Sequence, residues 1–313
     1  MLKSAILKSY SGNNKNASLL GIKSPSYDAS LGKWDGTNML AEMINRRTSE
    51  YFPTSKLEQT VQSNPKYTEI NFKKEGIKSF ILSGSIMTPF ISSDKTLSQS
   101  GISMDNPKTI EFTINAQFLE GSFLDGYNNQ GKSYTKGKSL GGSSQKEWYY
   151  ISQDAKGGYS FGKGDPPSAS YNAVGGARPL IINGLPYGEF NKYSNEAPKN
   201  LLQKGDPGEK YRKYLTQRSA AYFPQQNIAT KGKTLIGYNN KNQKVIIIVQ
   251  EDGTDGYTLD AFRNYLFKNG YTNSLSFDGS DSALLIKDNS ILIENGYNKD
   301  RYTDSGISFS VSK

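Results

Sequence analysis

The chain contains neither histidine nor cysteine. Their absence removes Ser–His and Cys–His nucleophile pairs, histidine metal ligands, zinc–thiolate centres and disulfides. Acid–base chemistry is left to carboxylates, tyrosine and lysine. Two Asp–Gly pairs draw attention, Asp252–Gly253 and Asp278–Gly279, because each follows a strand-like run, Lys244 to Gln250 and Asn273 to Phe277. One helix and its return strand separate the two. In an α/β layer, adjacent parallel strands would bring both carboxylates to one sheet edge, where sites form. An Asp–Gly pair is also an ordinary turn former whose carboxylate caps its own backbone.

The charge balance adds a second constraint. With 38 Lys and Arg against 29 Asp and Glu, the formal net charge is +9. Such a surplus suits phosphate-bearing substrates, an acidic membrane surface or nucleic acid, and it equally suits a well-solvated surface. The lysines are scattered, with no run of five basic residues and no nucleic-acid module, so nucleic acid is not expected. Trp148, Tyr149 and Tyr150 could stack on a sugar, although an aromatic cluster more often belongs to a core.

The elements that would position these residues read as follows. At 313 residues the chain can bury a sizeable core as one large domain, or as one domain with an extension. Hydrophobic residues reach 35 %, among them 21 Tyr and 14 Phe, which bury much area each. With 31 Gly, the composition favours strands joined by many turns. Residues 1–65 are polar and read as an extension or docking arm, with one helical stretch at 38–47 (NMLAEMINRR). Strands are expected at 67–72, 79–82, 109–114, 178–182, 234–238, 244–250, 273–277, 283–287, 290–293 and 307–311. The run 120–170, rich in Gly, Ser, Lys and Tyr, is either a functional loop or a set of short strands. Val245 to Val249 is apolar throughout and reads as a central strand covered on both faces. Thr258 to Asn269 is the clearest amphipathic helix, with Thr258 as its cap and Gly270 at its stop. The expected fold is therefore α+β: a mixed central β-sheet with packed helices and long Gly/Ser/Tyr-rich loops.

No apolar leader is visible, since Ala5-Ile6-Leu7 is short and Lys8 interrupts it, and no run is long enough to span a bilayer. The expectation is a cytoplasmic protein, or one exported without a cleaved signal.

Five motifs stand in a recognisable order. They are Thr113 to Phe118 (TINAQF), Gly176 to Gly184 (GARPLIING) and Gln217-Arg218-Ser219-Ala220. Glu251-Asp252-Gly253 with Gly256-Tyr257-Thr258-Leu259 follows, and then Phe277-Asp278-Gly279-Ser280-Asp281-Ser282. In this order they resemble the phosphodiester glycosidase domain family, over about residues 66–313. The chain departs from the family pattern in two places. Ser280 and Asp281 stand where the family usually has Gly, and Gln117 also replaces a usual Gly.

The resemblance implies hydrolysis of a sugar C1–O–phosphate bond. A phosphomonoester is a good leaving group, so the remaining demands are an oxocarbenium-like sugar to stabilise, a nucleophile or activated water, and phosphate charge to neutralise. It implies Asp278 as nucleophile or base, Asp252 as the second carboxylate, and Arg218 as the phosphate clamp. Asn115, Gly279, Ser280, Ser282 and Arg178 would line the substrate, with Arg301 as a further cation. Asp281 could join Asp278 and Asp252 around Mg²⁺ or Ca²⁺, although no EF-hand spacing supports a metal. The partner is then a phosphate-bearing sugar. Residues 1–65 could load the chain into an injection apparatus, as in a delivered effector or toxin. The alternative is a catalytically inactive binding or structural module of a phage or secretion machine.

Overall fold

The structure is a computed structural model, and it describes residues 27–28, 33–34, 58–63, 66–92, 97–122, 126–146, 148–168, 170–187, 228–294 and 305–313. The expected helix at 38–47, Arg218 and Arg301 lie outside the described residues.

Two antiparallel sheets form the body. The larger has 12 strands. Its main path runs Lys138–Gly141, Ser133–Thr135, Asn172–Ile182, Asn273–Ser276, Lys233–Asn239, Lys244–Gln250, Ile77–Ser83, Tyr67–Phe72 and Glu58–Ser63. Tyr149–Gln153 also pairs with Asn172–Ile182 and carries Tyr159–Lys163 beyond it. The smaller sheet has 5 strands, in the order Ser290–Ile293, Leu285–Lys287, Thr109–Asn115, Ser305–Ser312 and Ile86–Ile91.

The period-2 pattern of the 244–250 strand explains the layering. Val245, Ile247 and Val249 pack towards Phe112, Ile114, Ile307 and Phe309 of the smaller sheet. Ile246 and Ile248 point the other way, onto Leu259, Phe262, Tyr265 and Leu266 of the helix Leu259–Lys268. Both faces are covered, so every residue from Val245 to Gln250 is buried. Each large aliphatic side chain enclosed this way contributes roughly 2 kcal/mol of transfer free energy. The helix starts where Thr258 accepts the Ala261 N–H at 3.1 Å. It ends at Gly270, which adopts φ +78°.

Several sequence expectations stand. The 234–238 and 244–250 runs form a hairpin in register, the 285–287 and 290–293 strands form another, and the 120–170 stretch resolves into short strands.

The α+β expectation is overturned. Among the described residues there are only two α-helices, Leu97–Ser103 and Leu259–Lys268, and the protein is mostly β-sheet. The central sheet is not mixed either: every strand pairing is antiparallel, and the one parallel contact described is the isolated bridge Gln130–Ser143. The physical reason lies in the apolar 245–249 run. A strand buried on both faces suggests a parallel α/β sheet flanked by helices. Here a second β-sheet covers one of those faces.

A candidate active site around Asp278 and Arg178

The site forms where the larger sheet meets the end of the Thr109–Asn115 strand. The Asp278 N–H donates to the Ala116 carbonyl at 2.9 Å, and the Asp278 carbonyl accepts from Asn115 Nδ2 at 2.8 Å. The Asn115 carboxamide oxygen accepts from Thr234 Oγ1 at 2.6 Å and from the Leu284 N–H at 3.1 Å. Asn115 is 0 % exposed. It therefore braces the two sheets and the Asp278 turn together, because a buried carboxamide must find partners for its polar atoms.

Arg178 reaches the same place through a bulge. Tyr149 lies opposite Ala177 and Ile151 opposite Val174, so Gly175 and Gly176 together face Tyr150 alone. Gly176 adopts φ +76°, and a Cβ there would fall on the Gln130 carbonyl oxygen, so only glycine fits. The Gln117 carboxamide holds the bulge from behind, donating to the Gly131 and Gly175 carbonyls. Beyond the bulge, Arg178 is 0 % exposed, with its guanidinium carbon 3.3 Å from the Phe118 ring centre. Trp148 packs edge-on against Phe118, with ring centres 5.4 Å apart. A guanidinium seated on a buried aromatic face is held by the ring quadrupole and has little rotamer freedom.

The electrostatics couple the pair. Burial pushes the Asp278 carboxyl up to about 6, against the pull of the Arg178 charge, the Ser282 hydroxyl and the Gly279 N–H. The Asp281 charge adds a smaller upward push. Burial also works against the Arg178 charge, and the Asp278 carboxylate sustains it. At neutral pH this is a half-buried carboxylate beside a fully buried guanidinium. Such a group can act as a nucleophile or as a base.

Gly279 is needed because a Cβ would stand 2.5 Å from the Gly232 carbonyl oxygen. Ser280 adopts φ +53°, a left-handed conformation, and donates its N–H to the Gly232 carbonyl at 2.7 Å. The usual family glycine at this point thus has a backbone reason, and Ser280 carries local strain. Asp281 is exposed, whereas Ser282 is buried with its hydroxyl on Asp278.

Asp252 is placed differently. Its Oδ1 accepts the Gly232 N–H at 2.8 Å, and its Oδ2 lies 3.8 Å from Lys231 Nζ. The charges acting on Asp278 are those of Arg178 and Asp281, without Asp252 among them. Asp252 touches the Asp278 turn only through Gly232. Among the described residues no three carboxylates come together as a metal cluster. Trp148 and Tyr149 are buried, in keeping with a core role, and Tyr150 is half-buried across Gly162.

Sequence reasoning passed over Lys233 and Gln250. Lys233 is 1 % exposed and Gln250 0 %. They face each other across the 233–239 and 244–250 strands. Burial brings the Lys233 ammonium down to about 7, opposed by the charge of Asp252. Nothing in the residue types marks them; only the hairpin register places them together.

No family model and no curated protein matches the chain. Solved structures do. The fold resembles the catalytic domain of zebrafish N-acetylglucosamine-1-phosphodiester alpha-N-acetylglucosaminidase, auto-inhibited by its pro-peptide, with a TM-score of 0.50 and 13 % identity. The match covers 82 % of this chain and 84 % of that one. The two share a distant fold. A hypothetical protein from Synechocystis also matches, with a TM-score of 0.47 and 10 % identity over 81 % of this chain. The chain spans 64 % of the length of that protein. At these identities the likeness concerns the fold alone. No described helix is long and apolar enough to cross a membrane.

Proposed function

We propose that this chain is a hydrolase that cleaves the C1–O bond of a sugar-1-phosphodiester. The observation that carries the reading is the half-buried Asp278 carboxylate beside the buried Arg178, just after the Asn273–Ser276 strand, with the carboxyl raised to about 6. The distant fold likeness to a phosphodiester glycosidase domain supports it. Asp278 attacks C1 directly or takes the proton of the attacking water. The C1–O electron pair leaves with the phosphomonoester, and water supplies the new hydroxyl on the sugar. The leaving group needs little protonation, so the lack of histidine is no obstacle. Arg178 holds Asp278 ionised, while Ser280, Asp281 and the Gly279 backbone form the rim nearest a ligand. Asn115 acts as the brace behind them. Arg218 keeps its proposed place as phosphate clamp, whereas Asp252, with its oxygens on the Gly232 N–H and Lys231, is assigned to holding the 228–232 turn.

A second reading draws on the complete enclosure of Arg178, 0 % exposed. In that case the pair is a structural ion pair, and the chain is a binding or structural module without turnover. A release assay separates the two: the protein is incubated with a panel of sugar-1-phosphodiesters and nucleotide sugars, and free sugar is measured. Release by the native chain, lost in a folded Asp278→Asn variant, supports the hydrolase. Silence on every substrate favours the module.

The delivery role of residues 1–65 belongs to the same proposal. Because Glu58–Ser63 pairs with Tyr67–Phe72, a deletion that tests it should end at residue 57.

A further inference from the structure

Buried lysines are rare and costly unless each N–H finds an acceptor. Lys233 Nζ lies 2.9 Å from the Ile228 carbonyl, 3.5 Å from that of Ala229 and 2.5 Å from that of Lys231. All three carbonyls belong to the five residues just before it. Gln250 Nε2 gathers the Ala229 and Lys231 carbonyls again, at 2.5 and 2.8 Å. Its carboxamide oxygen takes the Tyr257 N–H at 2.8 Å. A Cβ on Gly256 would overlap the Gln250 carboxamide, so that side of the cage is closed by backbone.

The turn at 228–232 thus points three of its carbonyls inward. Gly232, itself buried, turns its groups away from Lys233. Its N–H goes to Asp252, and its carbonyl accepts Ser280 N–H at 2.7 Å. A Cβ on Gly232 would fall on the Ser280 carbonyl oxygen, so the two segments touch at backbone distance. Ser280 is the left-handed residue two places after Asp278, and Gly279 lies against Gly232.

We propose that Lys233 is a positioning residue: it pins the 228–232 turn, and through the Gly232 carbonyl that turn fixes the Asp278–Ser280 loop. The Lys233 nitrogen draws three carbonyls of one short segment to a single atom, one more than the Gln250 carboxamide nitrogen gathers. This role rests on the proposed hydrolase only for its effect on turnover. Amide exchange reads the pin whether or not the protein cleaves anything.

Hydrogen exchange of the Ser280 amide is the test, read against the Ile247 amide in the central strand. In the native chain Ser280 should be protected, because its N–H is held by the pinned turn; a freely exchanging Ser280 overturns the proposal without any variant. In Lys233→Met, Ser280 should exchange at least about tenfold faster with Ile247 unchanged. Lys233→Gln keeps two donors on a shorter arm and should fall between. Unchanged Ser280 protection in a folded variant contradicts the pin. Equal acceleration at Ser280 and Ile247 also contradicts it, since it marks general loosening. If the variant also turns over a sugar phosphodiester, kcat should fall with KM nearly constant. A silent native enzyme beside a responsive Ser280 amide would sink the hydrolase and leave the pin standing.

Discussion

Asp278–Gly279 and Asp252–Gly253 share a dipeptide, both end strands of the same sheet and both are half-buried, yet they meet different partners. Asp278 stands beside the fully buried Arg178, with its carboxyl raised to about 6. The Asp252 side chain is 20 % exposed, and its oxygens meet the Gly232 N–H and the surface Lys231. The difference arises from what packs behind each turn. The Asn115 brace holds the Asp278 turn, and the bulge at Gly175–Gly176 leads into the Arg178 that acts on its carboxylate. Asp252 lies at the open end of the hairpin, where it holds the 228–232 turn. An Asp–Gly pair marks a turn; whether its carboxylate can do chemistry is decided by residues far away in sequence.

The sharpest way to break the contrast is to neutralise each carboxylate in turn. Asp278→Asn should lower turnover by on the order of 10⁴-fold while keeping the fold, as loss of a nucleophile or base does. Matching rates for the two Asn variants would end the distinction. Removing the cation should cost less in rate and more in stability. Arg178→Met leaves a half-buried carboxylate without its counter-charge, which should cost up to about 3 kcal/mol in denaturant unfolding. Because the Arg178 charge pulls the Asp278 carboxyl down, its loss should also move the Asp278 titration upward. A titration that stays in place would show that the two do not interact.

Asp252→Asn keeps an acceptor for Gly232 and loses only a half-screened pair with Lys231, so stability should change by less than about 1 kcal/mol. A larger loss in thermal unfolding would make Asp252 more than a turn holder. Ser280→Gly is the smallest effect expected. Relief of the left-handed conformation, offset by the added freedom of the unfolded chain, should raise stability by about 0.5 kcal/mol. Destabilisation would mean that the Ser280 side chain makes a contact worth more than the strain.

The elements with a clean period were legible in the sequence. The 258–269 stripe and its Thr cap gave the helix, and the alternating runs gave the hairpins. The sheet-on-sheet layering was not legible, because Val245 to Val249 would look the same under a helix or under a second sheet. Asp278 was readable as the end of a strand in a motif. Arg178 is expected only among the residues lining the substrate, since an Arg inside a strand gives no sign of being inward. Its signal was the preceding Gly175–Gly176 pair, which in a strand suggests a bulge able to re-aim the next side chain. Lys233 had no local signal at all.

Stability and activity should respond to Asp278 with opposite signs as pH rises. A carboxyl raised from 3.8 to about 6 in the folded chain favours folding most below its unfolded value, and that contribution is lost as pH rises through about 6. The reacting form is the carboxylate, so turnover should instead climb through the same range.

The most direct measurement is the pH dependence of kcat/KM for sugar release, followed beside the carboxyl-carbon NMR titration of Asp278. The account predicts one acid limb with both midpoints near 6. Release that stays flat while the Asp278 carbon titrates, or an Asp278 that ionises in the ordinary carboxylate range, would contradict it.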